Sequence, residues 1–239
     1  MSRISEIALE FKGRGGKKLR PRLCKAVFKV CSLRVRNPAE GGDIEAVCDA
    51  IECFHKASLI HDDIQDCDEE RYGHPTTWKE HGVGVAIAAG DWLVAHGYQL
   101  IARCGFSAMP RMLSTVVDSH VRLCDGQGDD LILASANPLN MSRPDALDFT
   151  NPHLFDREVY VSTCERKTGE AFALAAQLGA LAAGADDAVY RRFGLAFGVL
   201  FQINDDLADG AESAELFELK KIYEDKTALY RDECALGVW

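Results

Sequence analysis

Two segments, HDDIQD at residues 61–66 and NDDLAD at residues 204–209, repeat one pattern 143 residues apart. Each reads Asp-Asp-aliphatic-x-Asp and closes an apolar stripe of helical spacing. Val47, Ile51, Phe54 and Ser58 lead to Asp62, and Phe193, Phe197 and Leu200 lead to Asp205. Residues i and i+4 of a helix lie one above the other. Asp62 therefore converges with Asp66, and Asp205 with Asp209, while Asp63 and Asp206 turn to the side. Six acids fall within the nine positions 62–70. Like charges so crowded repel and cost stability unless a cation neutralises them. Ligands that are all carboxylate oxygens select a hard divalent ion, Mg²⁺ ahead of zinc or copper, and Mg²⁺ usually keeps positions open for phosphates.

Helical periodicity dominates the rest of the chain, and alternating strand patterns are essentially absent. The Ala-rich run GEAFALAAQLGALAAG at residues 169–184 reads as tightly packed helix. Breaks fall at GGD near Gly41, at GHP near Gly73 and across NPLNMSRPDALDFTNP. No linker or shift of composition divides the 239 residues. Residues 1–239 are therefore expected to form a single all-α domain of about eight or more helices. No run reaches the ~20 apolar residues of a membrane span, and the basic N-terminus lacks a signal-peptide core, so a cytoplasmic location is the default expectation. The nine cysteines show no CxxC pair and no zinc spacing and read as core thiols.

The net charge of −10 argues against a nucleic-acid partner. Local exceptions matter more. GRGGKKLRPR at residues 13–22 carries five cations and no acid. Its flexible backbone, with Lys17 and Arg20 one helical turn apart, suits an oxyanion such as diphosphate.

Together these segments resemble the trans-isoprenyl diphosphate synthase (polyprenyl synthetase) family. GGKKLRP at residues 15–21 is similar to its GGKxxRP element, and ECFHKASLIHDDIQD at residues 52–66 to its first aspartate-rich helix. RYGHPT, AAGDWL, CDGQGDDL, KTGE and FQINDDLAD follow in the family's order. The resemblance implies a bundle of antiparallel helices around a deep central cavity, usually homodimeric. It implies an Mg²⁺-dependent condensation of an allylic diphosphate with isopentenyl diphosphate, with three ions bridging the aspartate motifs to the allylic diphosphate. By position, Asp62, Asp66 and Asp205 are the leading metal ligands, with Asp63, Asp206 and Asp209 supporting them. Arg71 and Lys167, with Thr168 and Gln202 close by, match the allylic diphosphate site. Lys17, Arg20 and His55 match the isopentenyl diphosphate site.

Two departures stand out. Tyr72 occupies the second Arg position of the family's RRG, so restoring Arg there is expected to lower the KM for isopentenyl diphosphate. Beyond Asp209 the family's basic loop is missing, so either this protein is trimmed or residues are absent between Gly210 and Leu219, the second being the expectation. Asp129 and Asp130 read as a solvated or capping pair; Trp78, Trp92 and Tyr98 read as core; His74, His81, His96, His120 and His153 carry no assignment. LIHDD also matches the HD dyad of metal phosphohydrolases, which would leave NDDLAD unexplained. A class I terpene cyclase and a non-catalytic partner subunit are the alternative functions. Ala57 and Ser58, both small, leave the first turn below the metal site open. Phe54 lies eight residues from Asp62, roughly 12 Å along a helix. A product of geranylgeranyl length or longer is expected. If Phe54 faces a neighbouring helix, the floor passes to Trp92 or Tyr98.

Overall fold

Short polar side chains stand where several helices begin. In the computed structural model, which describes residues 2–35, 42–135, 156–210 and 213–234, Ser2 accepts from the Ser5 N–H to open α1 (Arg3–Gly13). Asp43 accepts from Ala46 to open α3 (Ile44–Gln65), and Asp156 from Glu158 and Val159 to open α7 (Arg157–Cys164). Such caps satisfy amides that have no partner within the helix. The other helices are α2 (Leu19–Ser32), α4 (Thr77–His81), α5 (Val83–Arg103), α6 (Met109–Ser135), α8 (Glu170–Ala182), α9 (Ala188–Ala208) and α10 (Ala214–Cys234). The all-α expectation holds. Among the described residues, no helix is long and apolar enough to cross a membrane.

Among the described residues, the strands are those of one hairpin, β1 (Glu70–Arg71) and β2 (His74–Pro75), with Arg71 opposite His74. Its turn residues Tyr72 and Gly73 have φ of +56° and +76°. Positive φ at both centres is what a tight turn needs to match strand twist.

Helices α3 and α5 pack antiparallel. Phe54 lies over Gly97, and one stretch further along His61 lies over Gly90; a Cβ at either glycine would fall within 2.7 Å of the ring above it. On the other side, α8 runs through the interior between α2, α6 and α9. Every residue of α8 except Ala171 is buried, as its all-round apolar pattern requires. Small residues let the backbones close up: a Cβ on Gly198 would meet the Gly169 Cα at 2.7 Å. The nine cysteines are all free thiols; Cys67 and Cys124 are exposed and the rest buried. The Pro- and Asn-rich break at residues 137–152, His153, and residues 211–212 after the second aspartate motif lie outside the described residues. Directly after them, Ser213 accepts from the Leu216 N–H at the start of α10.

Candidate active site

Both aspartate motifs lie at the C-terminal ends of long helices, α3 and α9. Asp62, Asp66, Asp205 and Asp209 make no side-chain hydrogen bond or ion pair among the described residues. The central aspartates differ. Asp63 is fully buried and accepts from Arg71 Nε at 2.5 Å, its other oxygen unpartnered. Asp206 accepts from the Tyr160 hydroxyl at 2.6 Å and from Gln202 Nε2 at 2.9 Å. Each motif thus offers an i, i+4 pair outward and anchors its middle carboxylate inward. Burial, reinforced by the charge of Asp66 and opposed by Lys167, pushes the Asp62 carboxyl up to about 6.

A π-helical turn, Glu165–Gly169, joins α7 to α8 and sits between the motifs. π-turns shift the side-chain register and recur at functional sites. Here the shift serves both helices. Lys167 is the strongest cationic influence on Asp62, while the Thr168 hydroxyl donates to Gln202 at 2.8 Å, and Gln202 holds Asp206. Lys167 also pairs with Asp130 at 2.6 Å, and Arg166 with Asp129. Asp129 is exposed, as a solvated residue would be, but neither residue is a cap: both sit within α6 and hold two cations of the π-turn. Arg71 reaches from β1 to Asp63 and, at 3.5 Å, to Asp68.

The basic loop builds a second cationic centre. Lys17 is exposed and unpaired among the described residues. Arg20 is different. Its Nη1 lies 3.3 Å from His55 Nε2, its guanidinium stacks 4.6 Å from the Phe172 ring centroid, and its buried Nε has no partner. Arginine only donates, so His55 Nε2 accepts and the imidazole is neutral. Burial, then the charges of Arg20, Lys56 and Arg71, push its pKa down to about 2. Burial also lowers Arg20 to about 10. A half-buried guanidinium facing a neutral histidine, with one N–H unused, is set up for an anion.

Of the three positions expected to set product length, Ala57 is buried in the seam where α1 packs on α3 and α5, and Ser58 is exposed with its hydroxyl on the His55 carbonyl. Phe54 stands edge-on to Tyr98 (5.2 Å between ring centroids) and His120 (5.5 Å), and Tyr98 and His120 are hydrogen-bonded at 2.9 Å. Phe54 and Tyr98 thus belong to one cluster, and His120, unassigned from sequence, joins it. Trp92 instead stacks on His96.

The profile of the polyprenyl synthetase family matches residues 1–229. The chain belongs to that family. It is 35% identical over 205 residues to a short chain isoprenyl diphosphate synthase of Methanothermobacter thermautotrophicus, covering 84% of this chain and 56% of the relative. It is 32% identical over 213 residues to a geranylgeranyl diphosphate synthase of Cereibacter sphaeroides, covering 84% and 63%. A crystal structure of an isoprenoid synthase family member from Thermotoga neapolitana superposes with a TM-score of 0.73 at 25% identity, covering 96% of this chain and 82% of that one. The chain spans little more than half the length of the first of these sequence relatives.

The donor set fits magnesium. It consists of oxygen alone, on four unpartnered carboxylates, and the two pairs form no closed cage; among the described residues the group of three or more ligating side chains close enough to share an ion is Asp49, Cys53 and His96. Carboxylates left open in this way suit an ion that also binds phosphates. The Asp49 cluster offers less. Lys12 already pairs with Asp49 at 2.6 Å, and burial raises the Cys53 thiol to about 11. Nearby, a cavity of about 480 Å³ opens between α2 and α3, but Glu45, Asp49 and Glu52 in its lining make it unsuited to a diphosphate.

Proposed function

We propose that this chain is a prenyltransferase that condenses an allylic diphosphate with isopentenyl diphosphate into a trans-polyprenyl diphosphate of geranylgeranyl length or longer. The observation that carries the reading is the pairing of two separate anion sites: the open carboxylate pairs with Lys167 and Arg71, and Arg20 with its buried, unused Nε. One diphosphate needs one site; a condensation of two needs both. Magnesium held by Asp62, Asp66, Asp205 and Asp209 would neutralise the allylic diphosphate and its growing charge as it departs. Arg71 and Lys167 bind the same group, each steadied by a carboxylate, and stabilise charge that is larger in the transition state than in the bound substrate. Lys17 and Arg20 hold isopentenyl diphosphate, with His55 fixing the guanidinium. The wall formed by Phe54, Ser58, Tyr98 and His120 shields the allylic carbon from water and receives the growing chain.

Exposed apolar residues support a homodimer: Val83 and Ile87 one turn apart on α5, and Val117 and Val121 one turn apart on α6. A class I terpene cyclase is the second reading. Tyr72 favours it, because a tyrosine beside the basic loop brings no charge at neutral pH. Incubation with radiolabelled isopentenyl diphosphate, Mg²⁺ and each allylic diphosphate separates them. Longer diphosphates are expected; a hydrocarbon formed from the allylic substrate alone would establish the cyclase, and inertness would point to a partner subunit.

A further inference from the structure

Lys56 sits in the middle of α3 with no exposed surface, an unusual place for an ammonium. Its Nζ donates to the carbonyl oxygens of Arg14 at 2.5 Å and Gly15 at 3.3 Å, and lies 4.5 Å from the centroid of the Tyr72 ring. An ammonium has three N–H donors, and these three neighbours occupy them. None is left for a ligand, so Lys56 acts on the loop and not on a substrate.

Its action follows from peptide geometry. In a trans peptide the C=O and the N–H point in opposite directions, and the described chain holds no cis bond. With the Arg14 and Gly15 carbonyls drawn inward, the N–H groups of Gly15 and Gly16 face away from Lys56. Neither amide has a hydrogen-bond partner among the described residues. The loop holds this form through left-handed backbone at Gly15 (φ +46°), Gly16 (+98°) and Lys18 (+50°). Tyr72 closes over it: a Cβ on Gly15 would lie 2.9 Å from the Tyr72 ring, so only glycine lets the ring seat. Tyr72 itself has φ +56°, which an aromatic residue rarely adopts, and its ring face on Lys56 is the contact that compensates.

We propose that Lys56 is a positioning residue whose ammonium, clamped under the Tyr72 ring, aims the Gly15 and Gly16 amides to join Lys17 and Arg20 in holding a diphosphate. The inference rests on the assignment of this loop to isopentenyl diphosphate. It also reverses the expectation for position 72. A guanidinium there would stand against the buried ammonium, so Tyr72→Arg weakens the site instead of improving it.

The test is calorimetric titration of isopentenyl diphosphate, with Mg²⁺ and no allylic substrate, into the full chain and three variants. Lys56→Met is expected to bind about tenfold or more weakly, the scale of a lost charge-assisted hydrogen bond. Tyr72→Phe keeps the ring and is expected to bind like the wild type. Tyr72→Arg alters an exposed turn, so it folds even if Lys56→Met does not, and is expected to bind several-fold more weakly. Hydrogen exchange at Gly15 and Gly16 should slow on ligand binding in the wild type and not in Lys56→Met. Tighter binding by Tyr72→Arg, or unchanged binding by folded Lys56→Met, overturns the role of Lys56 while leaving the loop's assignment standing. A wild-type chain that binds no isopentenyl diphosphate overturns the assignment itself.

Discussion

At the scale of single residues, His55 shows how burial decides chemistry. Its pKa of about 2 lies far below the usual value, first because it is buried and then because Arg20 faces it. The folded protein therefore keeps it neutral, while the unfolded chain protonates it below about pH 6.5. The folded pKa is depressed for a base, so unfolding takes up a proton and stability falls as pH drops below that value. His55→Gln removes the proton uptake and keeps an acceptor for Arg20. Between pH 7.5 and 5.5, urea titrations should show the wild type losing about 1 kcal/mol more than this variant; parallel losses would mean that His55 is solvated. The aspartates call for the opposite kind of test, because Asp62 and Asp205 make no side-chain bond among the described residues. Asp62→Ala and Asp205→Ala are expected to lower turnover by about 100-fold or more while leaving the metal-free midpoint unchanged or slightly higher, since repulsion is relieved. A variant that unfolds would mark those carboxylates as structural.

At the scale of elements, the register between α3 and α5 decides what lies below the proposed metal site. Glycines at 90 and 97 bring α5 against His61 and Phe54, and the Tyr98–His120 hydrogen bond backs the Phe54 ring. The proposed floor of the product channel would therefore be shared by three helices. Phe54→Ala is expected to lengthen the product and, because Phe54 is only partly buried, to cost about 2–3 kcal/mol of stability. Ser58→Phe, one turn nearer the carboxylates, is expected to shorten it. Chromatography of the dephosphorylated alcohols reads both, and farnesol as the sole wild-type product would place the limit elsewhere. The two aspartate helices were legible in the sequence because a 3.6-residue stripe and its closing carboxylates are local signals. The π-turn was not, since a one-residue change in hydrogen-bond register leaves no mark in composition. Nor were the pairs of Asp129 and Asp130 with Arg166 and Lys167, or the clamp of Lys56 on the loop, because each joins residues that only tertiary packing brings together. Tyr72 was visible as a departure, but the reading proposed for it depends on Lys56 of α3, which only the fold brings under the hairpin turn.

At the scale of the whole molecule, α8 needs a polar tie as well as apolar burial, and Glu170 provides it. The residue is buried at the N-terminal end of α8. It accepts from Ser119 and Arg122 of α6 and from Arg191 of α9, at 2.7–3.0 Å. Burial alone would raise its pKa, but the bonds from Arg191, Arg122 and Ser119 outweigh burial and hold it below the usual carboxylate value. Glu170 directly follows the π-turn, so the same tie fixes the turn that carries Lys167 and Thr168 between the two aspartate motifs. Glu170→Gln leaves two arginines without their carboxylate. Both are partly exposed, so water softens the loss, and the expected cost is about 2–4 kcal/mol. The pH dependence has a definite sign. A carboxylate with a depressed folded pKa contributes stability that is present above its unfolded pKa, about 4.3, and is lost as pH falls through the folded value. The stability gap between wild type and Glu170→Gln, measured by denaturant titration, should be constant from pH 8 to 6 and narrow toward pH 4. A gap that stays constant down to pH 4 would mean that the charge of Glu170 contributes nothing and that the substitution acts through packing alone.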